Sequence, residues 1–113
     1  MSESRIAVFE EMVKDNPDEV MVWYGLASEY SKLSRWSDAA NALKNVIRRN
    51  PDYPAAYQML GTALMNLQDA DEARRVWTAG IAAATRTGDW KAAQHMERLL
   101  AESASENQSD FCA

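Results

Sequence analysis

Cysteine is nearly absent from this 113-residue chain, which has a single one, Cys112, in a polar segment. One thiol cannot form an internal disulfide, so the fold does not depend on oxidation. The nearby Asp110 disfavours the thiolate form of Cys112, which argues against a reactive nucleophile. A chain of this length is expected to form one domain, with a core built from the 47% of residues that are apolar.

Positive charge is also scarce, because 12 lysines and arginines face 17 acidic residues, for a net charge of −5. Nucleic-acid phosphates and anionic membrane surfaces both select basic surfaces. No stretch approaches the roughly 18 consecutive apolar residues of a membrane span. The opening residues, MSESRIAVFEEM, are acidic where a secretory signal is basic. We therefore expect no nucleic-acid partner, no membrane partner and a cytoplasmic location.

Reactive constellations are missing as well. His95 is the only histidine, and no second histidine or cysteine stands at a metal-ligand spacing from it. The sequence contains no Ser-His-Asp arrangement, glycine-rich phosphate loop or paired-carboxylate site. These absences predict a protein that is not an enzyme, with no catalytic residues, no metal and no cofactor.

What the sequence does contain is one pattern written twice, 34 residues apart, beginning at Asn16 and at Asn50. With that shift, large residues fall on large ones and small residues on small ones. The matched pairs are Pro17 with Pro51, Trp23 with Tyr57, Leu26 with Leu60, Ala27 with Gly61, Tyr30 with Leu64, Ala39 with Ala73 and Leu43 with Trp77. The chain therefore contains two copies of one structural unit.

Each unit has the spacing of two helices joined by a short turn. A first apolar stripe recurs at i, i+3, i+4 and i+7, through Trp23, Leu26, Ala27 and Tyr30. The polar segment SKLSRWS interrupts it, and a second stripe follows at Ala39, Leu43, Val46 and Ile47. Pro51 then ends the second helix. Small residues such as Ala27 and Gly61 on the packing stripe allow the two helix axes to approach closely.

These residues resemble the tetratricopeptide repeat (TPR), whose signature is W-x2-L-G-x2-Y, then A-x3-F, then P, with a period of 34. The first unit departs from it at Ala27 and Leu43, and the second has Thr85 where the closing proline would stand. The resemblance implies an all-α fold, a TPR-like α-solenoid of antiparallel helix pairs. It also implies a concave groove, lined by the first helix of each pair, that binds other proteins.

Both ends of the array carry candidate capping helices, which a short repeat array needs. Ile6, Phe9 and Val13 form a stripe like that of a second helix without its first. Gly88 is predicted to be the C-cap of the preceding helix, and Asp89 the N-cap of a last helix. That helix has Ala93, Met96 and Leu100 on one side; its type, first or second, stays open. About six helices are expected. The predicted division is a single domain at 1–104, comprising a cap at 2–16, repeat 1 at 20–53, repeat 2 at 54–87 and a cap at 88–104, followed by a flexible tail at 105–113.

The predicted groove residues lie opposite the packing stripes of the two first helices. They are Met21, Tyr24, Ser28, Ser31 and Lys32 in repeat 1, with Ala55, Gln58, Thr62, Met65 and Asn66 in repeat 2. Hydroxyls and amides can hydrogen-bond a peptide, and methionine adapts to varied side chains. One subclass of the family holds acidic chaperone tails with lysines and asparagines, a pattern that Tyr24, Ser28, Gln58 and Thr62 lack.

These features predict a protein–protein interaction module, or scaffold, that binds a peptide or helix of a partner protein in the groove. The alternative is a self-associating structural protein, a homodimer that uses the same groove or the C-terminal helix. Size measurements in solution distinguish the two hypotheses. The warrant for the first is resemblance of fold, which identifies no particular partner.

Overall fold

The computed structural model describes the backbone of residues 2–112 and the side chains of residues 4–103. Within residues 2–112 all regular structure is helical. The six helices are α1 (Ser2–Asp15), α2 (Val20–Lys32), α3 (Trp36–Arg49), α4 (Pro54–Asn66), α5 (Ala70–Thr87) and α6 (Trp90–Cys112). The predicted all-α architecture of about six helices is confirmed. Of the helices described, none is both long enough and apolar enough to cross a membrane.

The helices stack in chain order, each against the helix before it and the helix after it, and α4 also touches α6. The stack measures 49 × 32 × 19 Å. Its core passes through every helix pair, and its largest fully buried side chains are Leu43, Val46 and Met96. Because each helix contacts little beyond its neighbours, stability in such a stack is a sum of local terms rather than one global core.

Helix α1 covers the N-terminal end of the stack by packing on α2. Ile6 and Val13 of its predicted stripe are buried. The Tyr30 hydroxyl of α2 donates to the Glu10 carboxylate at 2.5 Å. Burial, followed by this hydrogen bond, raises the pKa of Tyr30 to about 12. The opposite side of α1 faces outward and leaves Val8 exposed.

A hydrogen bond to the proline carbonyl holds the turn before each repeat, and the two repeats use different aromatic donors. In repeat 1 the Trp23 indole Nε1 donates to the carbonyl oxygen of Pro17 at 2.7 Å. In repeat 2 the Tyr57 hydroxyl donates to the carbonyl oxygen of Pro51, also at 2.7 Å. Proline carbonyls at these turns have no helical partner, so an aromatic donor six residues later satisfies them. Trp and Tyr can therefore occupy the same position of the repeat, because each has a side-chain donor that reaches this carbonyl.

The turns after α2, α4 and α5 share one geometry. Ser34, Gln68 and Gly88 adopt left-handed backbone conformations, with φ of 57°, 64° and 76°. In each turn the next N–H bonds to the carbonyl five residues before it, as in Arg35 to Tyr30 and Asp69 to Leu64. This is the Schellman motif, whose left-handed position favours glycine. In two of the three turns, the left-handed position therefore holds a residue with a side chain, Ser34 or Gln68, for which this conformation is sterically unfavourable.

Replacing Gln68 with glycine is expected to stabilise the protein by about 0.5–1 kcal/mol, because glycine adopts this conformation without steric cost. Thermal unfolding should show a midpoint a few degrees higher. Gly88→Ala is the matched control, since nothing lies within 4 Å of its added Cβ and only backbone strain remains. It should lower the midpoint by a similar amount. A lower midpoint for Gln68→Gly would contradict this account of the turn.

Helix α6 stacks as a helix of the first type, since it packs on α5 and touches α4. The Asp89 carboxylate accepts from the Ala92 N–H at 3.1 Å, and Gly88 ends α5 in a left-handed conformation. The predicted caps at these two residues are therefore confirmed. The stripe at Ala93 and Met96 is buried, as predicted. Faces of α6 match those of α4 at an offset of 37 residues, so Ala56 corresponds to Ala93 and Met59 to Met96.

The offset also identifies the outward face of α6. In α4, Tyr57, Leu60, Gly61 and Leu64 pack beneath the following helix. Their counterparts in α6 are Gln94, Glu97, Arg98 and Ala101, all of them exposed. A further helix of the second type would find mainly polar side chains there, which favours the prediction that α6 caps the stack.

Helix α6 continues to Cys112, so the backbone of 105–112 is helical where the sequence predicts a flexible tail. The segment AESASENQSDFC contains neither glycine nor proline, so nothing in it ends a helix. The side chains of residues 104–113, including that of Cys112, lie outside the described residues.

Candidate functional site

The polar face of α4 lies opposite its buried stripe. Gln58, Thr62 and Met65 recur at i, i+4 and i+7, so they share one side of the helix. Tyr57 and Leu60 point to the other side, into the core. The structure places α6 beside this polar face. Its residues Ala92, His95, Leu99 and Glu102 correspond to Ala55, Gln58, Thr62 and Met65 at the 37-residue offset.

Two cavities lie between α4 and α6, and together we name them the α4–α6 cleft. The first, about 360 Å³, is lined by Ala55, Gln58, Asp89, Lys91, Ala92 and His95. The second, about 190 Å³, is lined by Thr62, Met65, Trp77, Leu99, Glu102 and Ser103. The α4 residues of both cavities lie along one face over about 15 Å, so one cavity follows the other along the helix.

The cleft combines an apolar end with a polar one. Met65, Leu99 and the edge of the buried Trp77 indole provide apolar surface in the second cavity. In the first cavity, Gln58 and His95 present an amide and an imidazole. Among the described residues, nothing hydrogen-bonds either of these side-chain groups. Both are therefore available to donate to, or accept from, a bound polypeptide backbone.

The Trp77 indole connects the cleft to the core of repeat 2. It is 3% exposed, and its Nε1 donates to the carbonyl oxygen of Gln58 at 3.3 Å. The Thr62 hydroxyl donates to the same carbonyl at 3.2 Å. These two hydrogen bonds hold the α4 backbone at Gln58 in place. The α4 side chains that line the cleft therefore project from a fixed backbone.

The predicted residues Met21 and Tyr24 of α2 lie in a separate cluster with Tyr53. The Tyr24 and Tyr53 rings are 5.2 Å apart between centroids, at a tilt of 46°. The Tyr53 hydroxyl donates to the Met21 sulfur at 3.3 Å, while 64% of Met21 stays exposed. Burial, with a smaller contribution from Tyr53, raises the pKa of Tyr24. The cluster forms a surface of aromatic and methionine side chains at the N-terminal end of α4.

Other predicted residues are engaged within their own helices. The Lys32 ammonium donates to the Glu29 carboxylate at 2.8 Å, which lowers the pKa of Glu29. Asn66 donates to the Thr62 carbonyl at 2.9 Å. Ser28 is half-buried, and the Ser31 Oγ is buried without a hydrogen-bond partner among the described residues. Of this group, Lys32 and Asn66 are exposed.

The sequence predicts one groove for all of these residues, whereas the structure divides them between two surfaces. Gln58, Thr62 and Met65 share a cleft with α6, whereas Met21 and Tyr24 share a cluster with Tyr53. Sequence reasoning missed Tyr53 and the α6 side of the cleft. The 34-residue shift carries Gln58 to Ala92 and Thr62 to the buried Met96, so a strict period could not find His95. The signal that finds it is the offset of 37 residues.

Within the described part of the chain, no group of three or more His, Cys, Asp or Glu side chains is arranged to hold a metal ion. His95 lines the first cavity together with Gln58, Lys91 and Asp89. This set is suited to hydrogen bonding and charge pairing with a bound chain rather than to metal ligation.

Residues 30–96 match the family model described as Tetratricopeptide repeat. The chain is also similar to a TPR repeat-containing protein of Pseudomonas aeruginosa, with 30% identity over 91 residues. The aligned region covers 80% of this chain and 87% of that relative.

Solved structures share the fold. The TPR2B domain in a TPR2B-domain:pHsp70 complex of yeast Sti1 has a TM-score of 0.85 at 17% identity, covering 93% of this chain and 84% of that one. The Sgt2 TPR domain from Aspergillus fumigatus has a TM-score of 0.83 at 20% identity, covering 99% and 72%. A protein from Bordetella parapertussis, solved in solution, has a TM-score of 0.81 at 24% identity, covering 94% and 92%. At these identities the likeness concerns the fold alone.

Proposed function

Because the chain belongs to the tetratricopeptide-repeat family, whose fold is a protein-interaction module, we propose that it binds a peptide or helix of a partner protein in the α4–α6 cleft. The observation that carries this proposal is the pair of unbonded groups, Gln58 and His95, beside the apolar surface of Met65 and Leu99. The family is typically non-enzymatic, and the proposal assigns no catalytic step.

The dimensions and chemistry of the cleft favour a short segment. A line of about 15 Å accommodates four to five residues of an extended chain at about 3.3 Å each. An apolar side chain of the ligand fits beside Met65 and Leu99, and its backbone meets the Gln58 amide. The second cavity has the carboxylate of Glu102 and no lysine or arginine in its lining, whereas the first has both Lys91 and Asp89. The second cavity therefore favours a basic residue at that end of the ligand.

The cluster of Met21, Tyr24 and Tyr53 extends this surface toward α2. We propose that it contacts a longer ligand outside the cleft, since aromatic and methionine side chains give adaptable contact area. The positions Tyr24, Ser28, Gln58 and Thr62 hold neither lysine nor asparagine. An acidic chaperone tail is therefore not the ligand that we propose.

A pair of threonine substitutions tests the cleft. Thr62 and Thr78 are both exposed, and each donates to the carbonyl four residues before it in its own helix. Thr62→Arg places a long cation across the cleft, whereas Thr78→Arg changes α5 outside it. Eight-residue peptides selected on the wild-type protein from a random display library should bind Thr62→Arg at least about tenfold more weakly. They should bind Thr78→Arg as they bind the wild type.

Equal binding of the selected peptides to both variants would place the site elsewhere and reject the cleft. The alternative of a homodimer formed through the same groove makes a different prediction. Light scattering would then show a wild-type dimer that Thr62→Arg converts to a monomer. A wild-type monomer that loses peptide binding in Thr62→Arg supports the interaction module instead.

A further inference from the structure

A second apolar depression lies on the other side of α4, between α3 and α5. Its volume is about 440 Å³. Tyr57, Leu60 and Leu64 of α4 form its floor, and Ile47 and Val76 contribute to its two walls. We name it the α3–α5 trough. At 100° per residue, its floor residues lie roughly opposite Gln58 and Thr62 on α4. The trough is therefore separate from the α4–α6 cleft.

The rim of the trough is positively charged on an acidic protein. Lys44, Arg48 and Arg75 line it together with one carboxylate, Glu72, whereas the whole chain has a net charge of −5. Lys44 makes no ion pair or hydrogen bond within the described part of the chain. The Arg75–Glu72 pair is 3.4 Å long, with side chains 68% and 44% exposed, so it is easily exchanged. An apolar floor inside a cationic rim selects an apolar surface flanked by carboxylates.

The outer face of α1 has that composition. Val8 and Met12 are 59% and 41% exposed and stand one turn apart. Glu11 and Asp15 lie on the same side of the helix, at i+3 and i+7 from Val8. Both carboxylates are exposed, and the contact of Glu11 with Lys14 is a surface pair at 3.4 Å. This face points away from the side of α1 that packs on α2.

We propose that the α3–α5 trough receives the outer face of α1 from a second copy of the chain. The two surfaces match in length, because Val8 to Asp15 and Glu72 to Ala79 each span two helical turns, about 10 Å. Val8 and Met12 meet the apolar floor, and Glu11 meets Arg75. The contact joins different surfaces of the two copies, so a dimer keeps a free α1 on one copy and a free trough on the other. Association is therefore head-to-tail and open-ended.

The contact is small compared with the roughly 1,000 Å² that a stable interface buries. The expected dissociation constant is therefore about 0.1–1 mM. In sedimentation velocity, the wild type should be monomeric at about 20 µM and should sediment progressively faster toward about 1 mM. A constant sedimentation coefficient over this range, apart from non-ideality, would overturn the proposal.

Complementary charge reversals provide the decisive test. Arg75→Glu and Glu11→Arg each place like charges in the contact, so each variant alone should lose the concentration dependence. An equimolar mixture should regain it, because the arginine introduced in one variant then meets the glutamate introduced in the other. Arg98→Glu is the matched control on the outward face of α6 and should associate as the wild type does. Failure of the mixture to associate would overturn the pairing.

The apolar part of the contact is tested with two methionines. Met12→Ser should abolish association, whereas Met21→Ser, in the cluster beside the cleft, should leave it unchanged. The reverse result would assign self-association to the groove instead and overturn the proposal. Both methionines are exposed, so circular dichroism should show unaltered folding in both variants.

Discussion

Gly61→Ala is expected to destabilise the protein by about 2–3 kcal/mol, although alanine is the better helix former by about 1 kcal/mol. A Cβ at position 61 would overlap the Nε1 and Cε2 atoms of the Trp77 indole. That ring is buried and hydrogen-bonded to the Gln58 carbonyl, so it cannot move aside without cost. Chemical denaturation, with the free energy of unfolding as the readout, measures the loss.

The first repeat indicates which second substitution should compensate for the stability lost in Gly61→Ala. It has Ala27 and Leu43 at the positions of Gly61 and Trp77, and both residues are fully buried. Trp77→Leu alone should cost about 2–4 kcal/mol, because it leaves a cavity beside Gly61. The double variant Gly61→Ala with Trp77→Leu recreates the pair of repeat 1. Its cost should be smaller than the sum of the single costs by about 1–3 kcal/mol.

Gly25→Ala serves as the control for helix propensity. It lies in α2, and its added Cβ would meet the outer edge of the half-buried Phe9 ring at 2.7 Å. That ring is at the end of the stack and can swing outward, so the net change should stay within about 1 kcal/mol. Additive costs in the double variant would show that the Gly61–Trp77 contact does not set the spacing of α4 and α5.

Met96→Ala is expected to cost about 2–4 kcal/mol, because Met96 is fully buried and truncation leaves a cavity. The site is tight, since a Cβ on Gly80 would stand 2.5 Å from the Met96 sulfur and 2.5 Å from Tyr57 Cβ. Residues of α4, α5 and α6 therefore meet at this point. Because helices in such a stack contact mainly their neighbours, the substitution should reduce local stability chiefly at the C-terminal end.

Amide hydrogen exchange followed by mass spectrometry locates the effect of Met96→Ala. Exchange in α6 should accelerate by about 30-fold or more, as expected for about 2 kcal/mol, while α2 and α3 keep their protection. Peptide binding in the α4–α6 cleft should weaken with it, because α6 supplies one wall. Met21→Ala, at an exposed position, should leave exchange unchanged. Uniform acceleration over all six helices would show one global core instead.

Some parts of the candidate site were predictable and others were not. Gln58, Thr62 and Met65 were found because a helical face opposite a buried stripe follows from the 100° period alone. His95 and Leu99 were missed because α5 has 18 residues and α3 has 14. The longer helix displaces α6 from the 34-residue period. Tyr53 was missed because it stands before α4 and becomes part of the site through its contact with Tyr24.

The amino-acid sequence by itself determined the helix pairs, their order, the turns and the buried stripes, since each depends on residues within a few positions of one another. It also determined the net charge of −5. Only the tertiary structure decided which side of α6 faces α4, and therefore where the cleft lies. It also decided that Gly61 packs against Trp77 and that α3 and α5 leave a cationic trough between them. These features depend on the rotation and spacing of packed helices, which residues distant in sequence set together.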